Sequence, residues 1–308
     1  MSSIKGLSRV LSDDKIIESK LLNVLGVQLF RTLAAHLVHN LRQVDNPDVV
    51  FEQISTLRRD GLLVWSNFLP ADQFREIRRE FLETVNQPSS KTKTHHQGEN
   101  LLEVTSLSHY KQTQLPQMST FFADPRLAAI LTAAEKRPLQ RLWNYGHLEV
   151  LTRGAEEGKE DPESTLHTDI FFNTHKAWFY LDDVEIEDGP LVYVKGSHRL
   201  NLRGLSSLYL ESWQRDAGTN PSRRASKFES KQLADRETIV TCKQNTLVIA
   251  NTCGYHRRLP GREGRKRRAL HIFLRANPFF LHGLRQRLND YPRVYQFLRN
   301  VNRSCAGK

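Results

Sequence analysis

The hydrophobic and polar positions predict helices in the first half of the chain. Apolar residues recur three and four positions apart over residues 14–43, 70–87 and 125–137, a spacing typical of helices that bury one face. A short apolar run at residues 61–65 predicts a strand before the second of these helices. Residues 88–100 are polar and end in Gly-Glu-Asn, which predicts a loop.

After residue 141 the pattern changes to short segments rich in apolar and aromatic residues. The predicted strands are residues 142–153, 177–184, 191–194, 237–242, 246–250 and 270–274. Several short strands in one segment indicate a sandwich or a barrel. Residues 201–236, rich in Ser and Arg, interrupt these strands and predict an insert with a helical lid. Helical spacing returns over residues 279–303.

These patterns divide the chain into three parts. They are an N-terminal helical extension at residues 1–50, a mainly β domain with flanking helices at residues 51–278, and a helical tail at residues 279–308. Two interpretations of the N-terminal helix stay open. It packs on the body, or it lies on a membrane surface with Lys20 and Arg31 among the cations that flank its apolar residues. The helix also contains Asn, Gln, Thr and His, which make it too polar to cross a membrane.

The positive charge of the protein is concentrated at the C-terminal end. The chain of 308 residues has a formal net charge of +11. Residues 255–308 contain 14 Lys and Arg but only two acidic residues, whereas residues 1–254 contain 31 basic and 32 acidic residues. This asymmetry predicts an anionic partner near the C-terminal end. No nucleic-acid recognition motif accompanies the charge, which disfavours nucleic acid as that partner.

The cysteines and the N-terminus bear on the compartment of the protein. Cys242, Cys253 and Cys305 form no Cys-x-x-Cys pair and show no secreted disulfide framework, so we expect a reducing compartment. The polar N-terminal segment lacks the apolar core of a signal peptide, so we expect none. We therefore expect a cytoplasmic protein. Peripheral contact with the inner face of the membrane is the alternative that the N-terminal helix leaves open.

The strongest chemical signal is the segment His167-Thr-Asp169. In a strand, residues i and i+2 point to the same face, so this imidazole and this carboxylate project into one cavity. His256, just after a predicted strand, is a candidate third ligand. Two histidines and one carboxylate on one face of an octahedron leave three open positions, the arrangement of non-haem Fe(II) oxygenases.

The sequence around this segment resembles the phytanoyl-CoA dioxygenase family of Fe(II)- and 2-oxoglutarate-dependent oxygenases. Motifs typical of that family are Gly-Pro-Leu at residues 189–191 and Gly-Ser-His at residues 196–198. The resemblance begins near Asp60 and ends near Arg275. It implies a double-stranded β-helix, a jelly-roll or cupin-like core of two sheets, with the iron at its mouth.

The resemblance also implies roles for individual residues. His167, Asp169 and His256 match the iron ligands of the family, with 2-oxoglutarate and O2 as cosubstrates. Arg267 matches the arginine that binds the distal carboxylate of 2-oxoglutarate, a role that suits a planar guanidinium. Arg268 is the adjacent alternative, but strand alternation turns the two side chains to opposite faces, and the spacing favours Arg267.

Two further positions complete the implied cosubstrate site. Trp178 matches a family tryptophan near 2-oxoglutarate, and Asn144, on the preceding predicted strand, is a second candidate contact. Because the family halogenases replace the carboxylate ligand with a small residue, Asp169 favours hydroxylation. The chain departs from the family pattern at Arg257 and Arg258, where small residues usually follow the distal histidine.

The basic cluster at residues 257–268 lies between the third candidate ligand and the start of the last predicted strand. Its place favours an anionic small-molecule, lipid or saccharide substrate. The segment at residues 251–257 resembles a bacterial subset of the family associated with surface-polysaccharide pathways, and secondary metabolism is a second setting. The alternative function is a barrel without turnover that binds nucleic acid or an anionic membrane through the basic C-terminal region.

Overall fold

A computed structural model describes residues 19–42, 44, 48–87, 89–139, 141–154, 161–214, 222–275 and 278–279. The predicted tail helix after Phe279 lies outside the described residues, and so does the start of the predicted N-terminal helix. Among the described helices, none is both long and apolar enough to cross a membrane.

Two antiparallel sheets form the body of the protein. The seven-stranded sheet has the order β1-β10-β6-β12-β4-β3-β2, and the five-stranded sheet has the order β8-β5-β11-β7-β9. Their strands are β1 Leu62–Trp65, β2 Thr92–Gln97, β3 Asn100–Ser106, β4 Gly146–Thr152, β5 His167–Thr168, β6 His175–Tyr180, β7 Leu191–Val194, β8 Arg223–Arg224, β9 Glu237–Ile239, β10 Thr246–Asn251, β11 His256–Arg258 and β12 Lys266–Phe273.

Helices cover one face of the larger sheet and fill the insert. They are α1 Lys20–Val24, α2 Val27–Leu41, α3 Phe51–Asp60, α4 Ala71–Val85, α5 Pro116–Phe122, α6 Pro125–Glu135, α7 Leu202–Gln214 and α8 Lys227–Leu233. Strand alternation decides what each side chain meets. On β6, Ala177 and Phe179 belong to the core shared with helices α3 to α6. Trp178 and Tyr180 belong to a second core, which joins the larger sheet to β7 of the smaller one.

Tyr193 on β7 ties the two sheets together. Its hydroxyl donates a hydrogen bond to the carbonyl of Asn251 over 2.8 Å, and Tyr193 pairs directly with His256 in the smaller sheet. The same hydroxyl lies against Gly61 and Gly254, so closely that a Cβ atom at either glycine would overlap it. These two glycines are therefore required by the close approach of the backbone to the tyrosine.

The N-terminal helix differs from its prediction in continuity and in orientation. Gly26, with a φ of 77°, separates α1 from α2. The apolar stripe of α2 points to solvent, whereas Arg31 and His36 on its other face are buried. Arg42, just after α2, is also buried, and its guanidinium donates to the carbonyl of Pro278 over 2.7 Å.

The predicted loop at residues 88–100 is wrong. Residues Thr92–Gln97 form β2, which pairs with β3 in an antiparallel hairpin. The sequence pattern did not indicate this strand, because the strand lies at the edge of the sheet and its side chains are largely exposed. Its residues therefore do not alternate between apolar and polar. Helix α3 and helix α5 were also absent from the sequence prediction, whereas the insert does contain helices α7 and α8.

Candidate active site

The pairing of two short strands brings three candidate ligands together. His256 on β11 lies directly opposite His167 on β5, and their ring centroids are 4.5 Å apart. Asp169 follows two residues after His167 and turns to the same face. Its Oδ1 lies 3.8 Å from Nε2 of His167 and 3.6 Å from Nε2 of His256. One ligand atom from each of the three residues lies within 4.8 Å of the others.

Backbone carbonyls orient both imidazole rings. Nδ1 of His167 is 2.8 Å from the carbonyl oxygen of Thr165, and Nδ1 of His256 is 2.9 Å from that of Gly254. Because a carbonyl oxygen only accepts, Nδ1 carries the hydrogen in each ring and Nε2 offers its lone pair to the site. Metal-binding histidines are commonly held by the same kind of bond from the second ring nitrogen.

The donor set suits a divalent cation. Nε2 of His167 is buried and makes no hydrogen bond of normal geometry to a described residue, although Oε2 of Glu163 lies 2.9 Å away. Two imidazole nitrogens and a carboxylate therefore converge with their lone pairs facing one point. Such a two-histidine, one-carboxylate set matches a non-haem Fe(II) site.

Lys176 on β6 fixes the carboxylate of Asp169. Its Nζ lies 2.7 Å from Oδ2 of Asp169, which leaves Oδ1 toward the two histidines. Burial favours the neutral form of Asp169, but the charge of Lys176 outweighs burial and holds the pKa of this carboxyl well below its usual range. The carboxylate is therefore ionised, as a metal ligand must be.

A cavity of about 240 Å³ contains the three candidate ligands and Arg267. Arg267 is buried, and its Nη1 donates to the carbonyl of Gly189 over 2.6 Å. Arg268 turns away from the cavity, as strand alternation predicted, and pairs with Asp182 over 2.8 Å. The geometry thus brings Arg267, and not Arg268, into the cavity with the histidines.

The two remaining predicted contacts lie in different places. Trp178 lines the cavity and stacks on His271, with ring centroids 5.2 Å apart. Asn144 is exposed and lies outside the residues that line the cavity. The prediction that Asn144 lies on a strand is wrong, because a 3-10 turn at Leu142–Tyr145 precedes β4.

Arg258, noted in the sequence as a departure from the family pattern, lines the cavity, a position that the sequence analysis did not predict. It follows His256 by two positions on β11 and therefore points to the same face. Its Nη2 donates to Oε1 of Gln97 over 2.8 Å. Its Nη1 is buried, makes no hydrogen bond to a described residue, and lies 3.5 Å from Oδ2 of Asp161. Strand periodicity counted from His256 was the signal that could have identified it.

Glu149 is a second cavity residue without a sequence signal. Its Oε2 lies 3.1 Å from Nδ1 of His271. Burial favours the neutral acid, but the charges of His271, Arg267 and Arg258 outweigh it and lower the pKa of Glu149 to about 2. Glu149 therefore places a negative charge among the arginines and moderates their field.

Acidic partners neutralise much of the basic cluster. Arg257 pairs with Glu237 over 2.7 Å, and Arg265 pairs with Asp188 over 2.7 Å. With the Arg268 pair and the contact between Arg258 and Asp161, four of its cations have carboxylate partners from other segments. Arg262 and Lys266 are exposed. The field at the rim is therefore weaker than the count of basic residues predicts.

Comparisons with known proteins agree with this site. Residues 57–235 match the family model described as phytanoyl-CoA dioxygenase (PhyH), a span that includes His167 and Asp169 and ends before His256. No curated protein matches the chain.

Solved structures that resemble the chain include three 2-oxoglutarate-related proteins. The epimerase SnoN, in complex with Fe3+, alpha ketoglutarate and nogalamycin RO, is 19% identical, with 74% of this chain and 84% of that chain covered and a TM-score of 0.47. HygX from Streptomyces hygroscopicus, with nickel, 2-oxoglutarate and hygromycin B bound, is 18% identical, with 72% and 85% covered and a TM-score of 0.45. EctD from S. alaskensis, with 2-oxoglutarate and 5-hydroxyectoine, is 14% identical, with 76% and 79% covered and a TM-score of 0.45.

The family match covers more than half of the chain, and the strands bring a two-histidine, one-carboxylate set into one cavity. The protein therefore belongs to the phytanoyl-CoA dioxygenase family and is a non-haem iron, 2-oxoglutarate-dependent oxygenase.

Proposed function

We propose that the protein is a hydroxylase in which His167, Asp169 and His256 hold Fe(II). The observation that carries this assignment is the convergence of the three ligand atoms in a cavity that also contains Arg267. Bound iron supplies the oxidative chemistry, in which 2-oxoglutarate and O2 yield succinate, CO2 and a substrate that has gained one oxygen atom as a hydroxyl group. The residues of the chain supply binding, orientation and exclusion of water.

Lys176 acts as a positioning residue for the metal ligand. Its contact with Oδ2 of Asp169 holds the carboxylate so that Oδ1 alone faces the two Nε2 atoms. The carbonyls of Thr165 and Gly254 fix the rings in the same way. A preset ligand geometry lowers the ordering cost of metal binding.

Arg267 is the proposed partner for the distal carboxylate of 2-oxoglutarate. A guanidinium can bind a carboxylate through two parallel hydrogen bonds. Arg258 lies on the same cavity wall, and β11 leads from His256 to Arg258. A dicarboxylate that starts at the metal and extends along β11 therefore meets both guanidinium groups. Trp178 and Tyr180 line the cavity from β6 and contribute apolar surface.

The proposed substrate is an anionic small molecule, lipid or glycoconjugate. Support comes from the basic balance of residues 255–308 and from the exposed Arg262 and Lys266 near the end of β11. These cations can steer an anion toward the cavity. A cytoplasmic location agrees with the two described cysteines, Cys242 and Cys253, which are free thiols.

Metal binding and succinate formation test the proposal together. We expect Asp169→Ala and His256→Ala to lose Fe(II) binding and to lower substrate-dependent succinate formation at least about a hundredfold, since neither site retains three ligands. Exposed residues of the same types provide matched controls: Asp72→Ala and His95→Ala should keep both properties.

The proposal has two distinct points of failure. If Asp169→Ala and His256→Ala bind Fe(II) as tightly as the natural chain, the ligand assignment is wrong. If the natural chain binds Fe(II) and 2-oxoglutarate but releases no succinate with any CoA thioester, sugar acid or lipid extract, the proposed substrate classes are wrong.

A further inference from the structure

Helix α2 has its polar and apolar faces in the reverse of the usual order. Gln28, Arg31 and Thr32 are buried against the body, whereas Phe30 is 67% exposed and Leu37 is 59% exposed. A helix that packs on a soluble domain normally buries its apolar stripe. The apolar stripe of α2 therefore does not hold this helix on the body, and its exposure needs another explanation.

The buried polar face of α2 is specifically bonded, so the helix is not simply turned the wrong way. The guanidinium of Arg31 lies 4.0 Å from the centroid of the Phe171 ring. Nδ1 of His36 is 3.2 Å from Nδ2 of Asn173. Rotating α2 to bury its leucines would break both of these contacts.

Neighbouring helices extend the exposed stripe into a larger surface. Asn23 on α1 donates to the carbonyl of Ser212 on α7 over 2.8 Å, and the hydroxyl of Tyr209 donates to the carbonyl of Val24 over 2.9 Å. These bonds lock α1 against α7. The resulting surface, here the apolar face, consists of Leu21, Val24, Leu25, Phe30, Leu33, Leu37, Leu41, Leu210 and Trp213, each more than a third exposed.

Of the three basic residues at positions 19–44, Lys20 is exposed, whereas Arg31 and Arg42 are buried. Residues 19–44 contain no Asp or Glu. The chain returns to α2 at its other end, where Arg42 binds the carbonyl of Pro278 and Phe279 packs beside Ala35. From that point residues 280–308 add six basic residues and one acidic residue. A strongly basic segment thus starts at the edge of the apolar face.

We propose that the apolar face docks on an anionic lipid bilayer. Apolar side chains enter the interface between headgroups and acyl chains, while nearby cations bind anionic headgroups. Trp213 has the amphipathic ring that is enriched at this depth. The absence of carboxylates from residues 19–44 suits such a surface, because an acidic side chain would be repelled by it.

A second copy of the chain fits this face less well. A twofold dimer would pair the apolar face with itself. It would also bring together two chains that each carry a net charge of +11, and like charges repel. Anionic lipid, in contrast, attracts both parts of the surface.

Vesicle flotation of the full-length protein tests the proposal. We expect it to float with vesicles of phosphatidylcholine and phosphatidylglycerol, and to bind vesicles of phosphatidylcholine alone at least about tenfold more weakly. Phe30→Asp and Leu37→Asp should each weaken binding to the anionic vesicles by about tenfold or more, since each removes one large apolar side chain from the interface. Phe228→Asp is the matched control, because Phe228 is 69% exposed on α8.

Four results would overturn the proposal. The first is that the protein does not float with the anionic vesicles, and the second is that Phe30→Asp floats as well as the natural chain. The third is that Phe228→Asp loses as much vesicle binding as Phe30→Asp. The fourth is a dimer, detected by light scattering, that dissociates in Phe30→Asp. The third result would indicate a general effect of added charge, and the fourth would assign the face to a second copy. Retained Fe(II) binding in each variant confirms folding and separates this proposal from the proposed chemistry.

Discussion

Replacing Arg267 by glutamine removes the proposed anchor of 2-oxoglutarate with little change in side-chain length. Arg267 is 8% exposed and its guanidinium donates to the carbonyl of Gly189. Within the described part of the chain, no carboxylate forms an ion pair with Arg267, so its remaining donors are available to a ligand. Arg268→Gln is the natural control, because Arg268 lies one position away and pairs with Asp182 outside the cavity.

The size of the effect follows from burial. Breaking a buried ion pair costs about 3–5 kcal/mol. The lower value applies here, because Arg258 stays in the same cavity and keeps part of the attraction. A loss of about 3 kcal/mol corresponds to about a 150-fold rise in the dissociation constant of 2-oxoglutarate. For Arg268→Gln we expect a change within about twofold, and a stability loss of at most about 1 kcal/mol, since its ion pair is partly exposed.

Calorimetric titration of the Mn(II)-loaded protein with 2-oxoglutarate measures this difference without turnover. The KM for 2-oxoglutarate in a succinate assay should move in parallel. If Arg268→Gln weakens binding and Arg267→Gln does not, strand alternation has been applied in the wrong register. If neither variant changes binding, the distal carboxylate lies elsewhere in the cavity.

Three further outcomes test other parts of the structure. Arg258→Gln should weaken 2-oxoglutarate binding by about tenfold, whereas Arg257→Gln, whose side chain pairs with Glu237, should leave it unchanged in the same titration. Burial lowers the pKa of His36 from 6.5 to about 4, so the unfolded chain takes up a proton that the folded chain does not, and stability falls as the pH drops below 6.5. Measured by urea unfolding, the free energy of unfolding of His36→Gln should fall by about 2 kcal/mol less than that of the natural chain between pH 6.5 and about pH 5. Mn(II) at a hundred times its dissociation constant should stabilise the protein by about 2.7 kcal/mol, and calorimetry should show no such gain in His256→Ala.

The sequence was most informative where strand alternation controls geometry. The spacing of His167 and Asp169 predicted two side chains on one face, and the structure confirms their approach to His256. The same alternation separated Arg267 from Arg268. The alternation of side chains between the two faces is a property of the strand backbone, so it can be predicted without knowing which strands lie beside it.

Contacts between residues far apart in the chain could not be predicted from the sequence. Helical spacing located the apolar stripe around Leu33, but it could not show that the polar face would find its partners in the segment after Asp169. Likewise, the sequence counts Arg257 and Arg265 as positive charges, but it does not show that Glu237 and Asp188 pair with them in the folded chain. Only the folded chain brings these groups together.

The contact of Tyr193 with Gly61 and Gly254 makes the geometry of the metal site depend on residues that do not bind the metal. A methyl group at Gly61 or Gly254 would displace the tyrosine hydroxyl, and with it the strand that pairs with His256. Substitution at Gly61, which follows α3 and lies on neither strand that carries a histidine ligand, would therefore appear as a loss of metal affinity. In a survey of random variants, Gly61 would score as catalytic although it supplies no ligand atom. The tolerance of this enzyme to mutation is thus set partly by the shape of its backbone around one tyrosine.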